Sequence, residues 1–191
     1  MNIEFEATYL QVDKDDVRGR LREAGAFLVH EEYLMKRSCF SPPHPVPGGW
    51  MRVRREYDQI TMSYKVVNGT KITDQKEVEL VIDSFEDGEE FLISIGATKK
   101  SYQETKRELW RLDDVDITID TWPGLYPFVE VEGEGEEVVK QVSEKIGFDY
   151  SDAVFCEVSF IYEKELGIPA DIMKDEMPII TFEHVPQKYE R

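Results

Sequence analysis

The first residues of the chain, Ile3-Glu4-Phe5-Glu6-Ala7-Thr8, alternate apolar and polar side chains with a period of two. A β-strand sends successive side chains to opposite faces. Glu4, Glu6 and Thr8 therefore share one face, and Ile3, Phe5, Ala7 and Tyr9 the other. Glutamates lined up on one face repel each other and are poor strand formers. The pattern nevertheless recurs at Glu77-Val78-Glu79 and at Phe128-Val129-Glu130-Val131-Glu132, and with opposite sign at Arg52-Val53-Arg54. Residues 50–55 and 60–67 read as two further strands. Arg52, Arg54, Thr61, Ser63 and Lys65 fall on their polar faces, and Met51, Val53, Met62, Tyr64 and Val66 on their apolar faces. Several strands, each with one charged and one apolar face, predict a sheet whose charged side encloses something.

The remaining elements follow in order. Residues 13–24 read as a helix capped by Asp13, with Val17 and Leu21 inward and Gly25 as its stop. A strand begins at Phe27 and continues loosely through Tyr33 and Met35. The Pro/Gly-rich stretch 41–49 predicts a long connection, and residues 56–59 a turn. Asn68-Gly69 is the strongest hairpin signal, leading into a strand over 77–82. Ser84 caps a helix over 84–95 with Phe91, Leu92 and Ile95 as its apolar face. Residues 104–112 and 115–121 read as strands joined at Asp113-Asp114, and Trp122-Pro123-Gly124 as a stop before the strand at 128–132. A third helix spans 136–146 with Val138, Val139, Val142 and Ile146 inward. Ser151 caps a fourth helical stretch ending near Leu166-Gly167, and the remainder adds a short helix after Pro169 and a short strand at 179–182. Strand, helix and hairpin strands come twice in the same order, a hint of internal pseudo-symmetry.

Many hairpin-connected strands with few helices predict an α+β fold built on a closed antiparallel eight-stranded β-barrel. The helices wrap the outside and cover the apolar faces of the strands, so the charged faces look at each other across a hydrophilic tunnel. The chain of 191 residues fits a single domain over 1–191, with a core over 1–167 and a C-terminal extension over 168–191.

Composition narrows the partners. The formal net charge of −17 excludes the basic footprint of a nucleic-acid-binding surface and attraction to anionic lipid. No apolar run is long enough to cross a bilayer. An acidic N-terminus without an apolar stretch predicts a cytoplasmic protein; a monomer or homodimer is expected. The two cysteines, Cys39 and Cys156, fit no metal spacing and read as reduced thiols.

Strand parity gathers an inward set of carboxylates, Glu4, Glu6, Glu77, Glu79, Asp120, Glu130 and Glu132 with Asp116 at its edge, and of cations, Arg52, Arg54, Lys65 and Arg107. Parity does not decide between Lys106 and Arg107. So many buried carboxylates need countercharges. Internal ion pairs supply some, but such pairs are weak stabilisers and a poor reason for so many charges. Hard divalent cations such as Mg²⁺ or Mn²⁺ suit oxygen-only ligation, and arginines beside them suit a phosphate chain.

In these residues the chain resembles the CYTH superfamily of triphosphate tunnel metalloenzymes, which includes class IV adenylyl cyclases, thiamine triphosphatases and inorganic triphosphatases. Glu4 and Glu6 match its opening Glu-x-Glu-x-Lys, with Thr8 in place of the lysine. Arg52-Val53-Arg54 resembles its Arg-x-Arg, Lys65 its following lysine, Glu77 and Glu79 its central Glu-x-Glu, Lys106-Arg107 its later basic strand and Asp120 its acidic metal position. The stretch from Asp120 to Gly133 is similar to its late strand pair, and Ile161-Tyr162-Glu163-Lys164-Glu165-Leu166-Gly167 to its C-terminal helix. The resemblance implies a single CYTH-like domain binding a triphosphate (ATP, tripolyphosphate or thiamine triphosphate) lengthwise in the tunnel. Arg52, Arg54, Lys65 and Arg107 would then hold phosphate oxygens, with Thr8 at the place of the lost cation. Glu4, Glu6, Asp120, Glu130 and Glu132, backed by Glu77 and Glu79, would hold one or two Mg²⁺ or Mn²⁺. Lys65 and Arg107 would act on the reacting phosphoryl group, with Lys106 or Lys76 as substitutes for the missing lysine. Hydrolysis of the triphosphate, cyclisation of ATP to cyclic AMP, and binding without turnover are the three activities this implies; for a base, Trp50, Tyr64 and Tyr126 are candidate stacking partners.

Overall fold

The structure, a computed structural model, describes residues 1–189. Its strands are β1 (Asn2–Ile3), β2 (Phe5–Tyr9), β3 (Phe27–Ser41), β4 (Gly49–Arg55), β5 (Ile60–Val67), β6 (Gln75–Ile82), β7 (Thr98–Leu112), β8 (Val115–Thr121), β9 (Phe128–Gly133) and β10 (Ile179–Ile180). The helices are α1 (Lys14–Ala24), α2 (Phe85–Ser94), α3 (Glu136–Lys145), α4 (Val158–Leu166) and α5 (Ala170–Asp175).

The local signals explain most boundaries. Asp13 accepts bonds from the Asp15 and Asp16 amides at the start of α1, and Gly25 ends that helix at φ 87, a left-handed conformation that costs a glycine little. Ser84 caps α2 through the Asp87 amide. The fourth helix differs from expectation: residues 150–152 form only a 3-10 turn, capped by Asp149 rather than Ser151, and α4 starts at Val158. Asn68-Gly69 does not form a tight hairpin either. The connection takes in a 3-10 turn at Ile72–Asp74, whose Asp74 carboxylate accepts from the Lys71 amide.

Hydrogen bonding runs β1-β6-β5-β4-β3-β7-β8-β9-β2, with β10 added parallel to β7. All the pairings along that path are antiparallel. The first segment of the chain closes the ring: Asn2 pairs with Glu77 on one side and Glu6 with Glu132 on the other. Eight staves were expected and nine strands stand on the path, because this first stave breaks at Glu4 into β1 and β2. Strand β6 begins only at Gln75, and beyond that edge Thr8 exchanges both backbone bonds with Val154. The barrel is therefore nearly closed, with residues around Val154 covering the gap. The order β2-α1-β3-β4-β5 repeats as β6-α2-β7-β8-β9, in keeping with the expected pseudo-symmetry.

Apolar faces pack outward under helices. Ala7, Ile117, Ile119, Val129 and Val131 lie against Val17 and Leu21 of α1 and Val139, Val142 and Ile146 at α3. Val53 and Phe40 lie against Phe85 and Leu92 of α2. Three expectations fail in detail. Of the apolar face expected on α2 only Leu92 is buried; Phe91 and Ile95 are exposed, because the helix turns Phe85, Gly88 and Leu92 to the barrel. Val138 is exposed, because α3 turns its Val139 and Val142 face to the barrel. Val78 and Leu80 on the outer face of β6 carry no helix and stay exposed. No helix of the described residues is long and apolar enough to cross a membrane.

Candidate active site

The charged faces enclose a cavity of about 670 Å³. Its wall takes Glu4 and Glu6 from the first stave, Glu77 and Glu79 from β6, Lys65 from β5, Arg52 and Arg54 from β4, Arg37 from β3, Arg107 from β7, and Glu130 and Glu132 from β9. Phe5, Val53 and Val131, which alternate with these residues, do not line it. Going round the barrel, carboxylates stand on β9, β2 and β6, and cations on β5, β4, β3 and β7. One side of the cavity is acidic and the other basic.

Three oxygens from Glu4, Glu6 and Glu132 lie within 4.8 Å of one another. Burial is the main force on the first two: it raises Glu4 and Glu6 to about 7 although Lys65 pulls both down, and the neighbouring carboxylates add to the rise. Lys65 bonds Glu4 at 2.5 Å and is pushed up; burial opposes this, but Glu6 and Glu4 outweigh it. Hard oxygens gathered this closely, with too little positive charge between them, fit a divalent cation.

The other carboxylates are occupied by arginines. Arg52 donates to Glu77 at 3.0 Å and to Ser63 Oγ at 3.1 Å. Burial would raise Glu77, but Arg52 and Lys65 overcome it and hold it at about 2. Arg54 reaches Glu79 at 3.3 Å and Glu56 at 2.5 Å. Arg107 grips Asp120 through two bonds, of 2.8 and 2.5 Å, and Glu130 at 2.6 Å. One guanidinium thus serves two buried carboxylates. Burial, Glu6 and Asp120 hold Glu130 well above the usual carboxylate range, whereas Arg107 overcomes the burial of Asp120 and holds it low.

Several expected residues stand elsewhere. Lys106 alternates with Arg107 and so points outward, half exposed, near Glu32 and over the ring of Phe182. Lys76 is exposed on β6 for the same reason. Asp120 lies behind Arg107 and not on the open wall. Thr8 is on the lumen side of β2, 3% exposed, beside the Val154 segment. Asp116 pairs with Arg111 at 2.6 Å, away from the cavity. Of the three aromatic candidates, Trp50 lines the cavity, while Tyr126 is exposed and Tyr64 alternates outward.

Arg37 and Glu56 were missed. Strand β3 was expected to fade at Met35, but it runs to Ser41. The absence of any breaker before Pro42 was the available signal. Arg37 is buried, donates to Thr105 Oγ1 at 2.6 Å and lies 4.6 Å from the centre of the Trp122 ring. Burial, then Arg54 and Arg52, draw it down to about 9. Glu56 extends the Arg54 pair from the turn after β4.

The comparisons agree with this geometry. The CYTH domain matches residues 41–158, more than half of the chain, and the chain belongs to that family. The matched span leaves out the strand carrying Glu4 and Glu6. No curated protein matches the chain. Among solved structures, a candidate adenylate cyclase from Vibrio parahaemolyticus superposes with a TM-score of 0.70 at 13% identity, over 85% of this chain and 98% of that one. A Pyrococcus horikoshii protein gives 0.64 at 18% identity, over 78% and 93%. A candidate adenylyl cyclase from Hippeastrum, in which triphosphatase activity is dominant, gives 0.61 at 14% identity, over 85% and 97%. At these identities the likeness shows the fold.

Proposed function

We propose that this chain is a divalent-metal-dependent triphosphatase that takes a linear triphosphate into the barrel. The observation that carries the reading is the division of the cavity: three close glutamates, with Lys65 and Arg107 at their edges and Arg52 and Arg54 further round the wall. A divalent ion, Mg²⁺ or Mn²⁺, held by Glu4, Glu6 and Glu132 would act as a Lewis acid on phosphate oxygens. The cations hold the remaining oxygens. Each is already within reach of a carboxylate, so phosphate binding is an exchange of one anionic partner for another inside a partly dry space. Arg107 and Lys65 sit next to the glutamates and are placed to stabilise charge building on the transferred group. Arg52 and Arg54, further round the wall, hold the rest of the chain. Glu77, Glu79 and Asp120 orient these cations. Lys106 has no part, since it faces outward.

Trp50 at the cavity wall gives a nucleotide base a surface to stack on, which favours ATP cyclisation as the second reading. Incubation of the pure protein with tripolyphosphate, ATP and thiamine triphosphate, under Mg²⁺ or Mn²⁺, separates the cases. Orthophosphate release is the expected result. Pyrophosphate with cyclic AMP would replace the hydrolase by the cyclase, and binding without turnover would leave a sensor.

A further inference from the structure

Among the described residues, Arg37 is the cavity guanidinium that reaches no carboxylate. Arg52, Arg54 and Arg107 each pair with at least one, and Lys65 pairs with Glu4. Arg37 is 7% exposed, and its Nε has no partner; neither has the Nε of Arg54. Across the strands Arg37 stands directly opposite Arg54 on β4 and Gln103 on β7. Like charges directly opposite each other destabilise a sheet, and an unpaired buried charge costs more still. The Thr105 hydroxyl and the Trp122 face recover part of that cost, but neither is an anion. In the strand order, β3 lies across the barrel from β2, so Arg37 stands on the wall opposite the glutamate cluster.

We propose that Arg37 is a phosphate-binding residue of this chain, closing with Arg54 on a phosphate group of a linear polyphosphate on the side away from Glu4, Glu6 and Glu132. The proposal rests on the triphosphate reading of the site. The bound anion is the countercharge that the barrel does not provide. It also bears on Thr8: the positive charge absent from the first stave is present on the opposite wall.

A ligand role and a packing role predict opposite results for Arg37→Met. The probe is imidotriphosphate, whose nitrogen bridges resist hydrolysis, titrated calorimetrically with Mn²⁺ present; thermal unfolding is followed without ligand. For a ligand role, Arg37→Met raises the ligand-free Tm, because a lone buried charge is gone, and weakens imidotriphosphate binding by at least about tenfold. Arg37→Lys keeps part of the affinity. Arg52→Met, in contrast, lowers the ligand-free Tm because it strips Glu77 of its partner. Unchanged affinity in Arg37→Met overturns the proposal and assigns the side chain to packing on Trp122. If Arg37→Met does not fold, Arg37→Gln is judged by the same affinity criterion. A wild-type protein that binds no imidotriphosphate overturns the triphosphate reading and this proposal together. Binding by wild type that Arg37→Met matches removes only the role of Arg37.

Discussion

Glu6 shows what a carboxylate in a buried cluster does to its own fold. It is 9% exposed, and its carboxylate joins those of Glu4 and Glu132. Ionised and without a metal, the three repel each other. Glu6→Gln is expected to weaken Mn²⁺ binding by at least tenfold in calorimetric titration and to raise the metal-free Tm at pH 8, since one buried charge is removed. A variant with lower affinity and lower Tm would mean that Glu6 is held for packing. Thr8 offers the complementary test. Both its backbone groups bond Val154 rather than β9, so Thr8 and Glu130 form the closer, non-hydrogen-bonded type of cross-strand pair. In Thr8→Lys the new ammonium meets Glu130 and leaves Arg107 to Asp120 and the ligand. Turnover of tripolyphosphate should rise, in kcat more than in KM, because the added charge acts where charge builds in the transition state. A flat or reduced kcat would mean that the cations of the site are already sufficient without position 8.

The elements show where alternation reveals a site and where it fails. Strands β4, β5 and β9 keep strict period two, so Arg52, Arg54, Lys65, Glu130 and Glu132 could be placed on the lumen face from the sequence. Strand β3 has register shifts between Leu28 and His30, His30 and Tyr33, and Cys39 and Phe40. The two shifts before Tyr33 break the alternation of the first half of the strand, so the sequence pattern fades at Met35 and leaves Arg37, in unbroken register with β7, outside the strand it predicts. Lys106 and Arg107 were ambiguous because adjacent basic residues carry no parity of their own; the Arg107–Asp120 pairing across β7 and β8 resolves it. The break at Glu4 and the covering Val154 segment depend on tertiary closure that no local pattern encodes. Helix α2 makes the outer packing testable. Leu92 is fully buried against Val53 and Phe40, and Val53 lies between Arg52 and Arg54 on their strand. Leu92→Ala should cost about 2–5 kcal/mol in urea unfolding, and the loosened strand should raise KM for tripolyphosphate. Loss of stability with unchanged KM would uncouple α2 from the arginines.

For the whole molecule, the uneven charge of the cavity sets the pH dependence of stability. Glu4 and Glu6 ionise at about 7 instead of 4.5, mainly through burial. Between those values the folded protein keeps protons that the unfolded chain has released, so stability from these groups is full below about 4.5 and lost as pH rises through 7. Glu130 acts in the same direction. Glu77 acts in the opposite direction: Arg52 and Lys65, outweighing its burial, hold it at about 2, so its contribution is present above 4.5 and lost as pH falls towards 2. The net charge of −17 adds repulsion as pH rises. The metal-free protein should therefore be most stable near pH 5 and lose Tm steadily to pH 8. A divalent cation competes with the same protons, so the stabilisation by Mn²⁺ should be small at pH 5 and large at pH 8. Thermal unfolding in chelator and in Mn²⁺, at pH 5, 6, 7 and 8, measures both trends. A chelated profile that is flat over this range would mean that Glu4 and Glu6 ionise as ordinary carboxylates. The acidic wall would then be balanced by its own arginines and lysine, with no charge left over for a metal to neutralise.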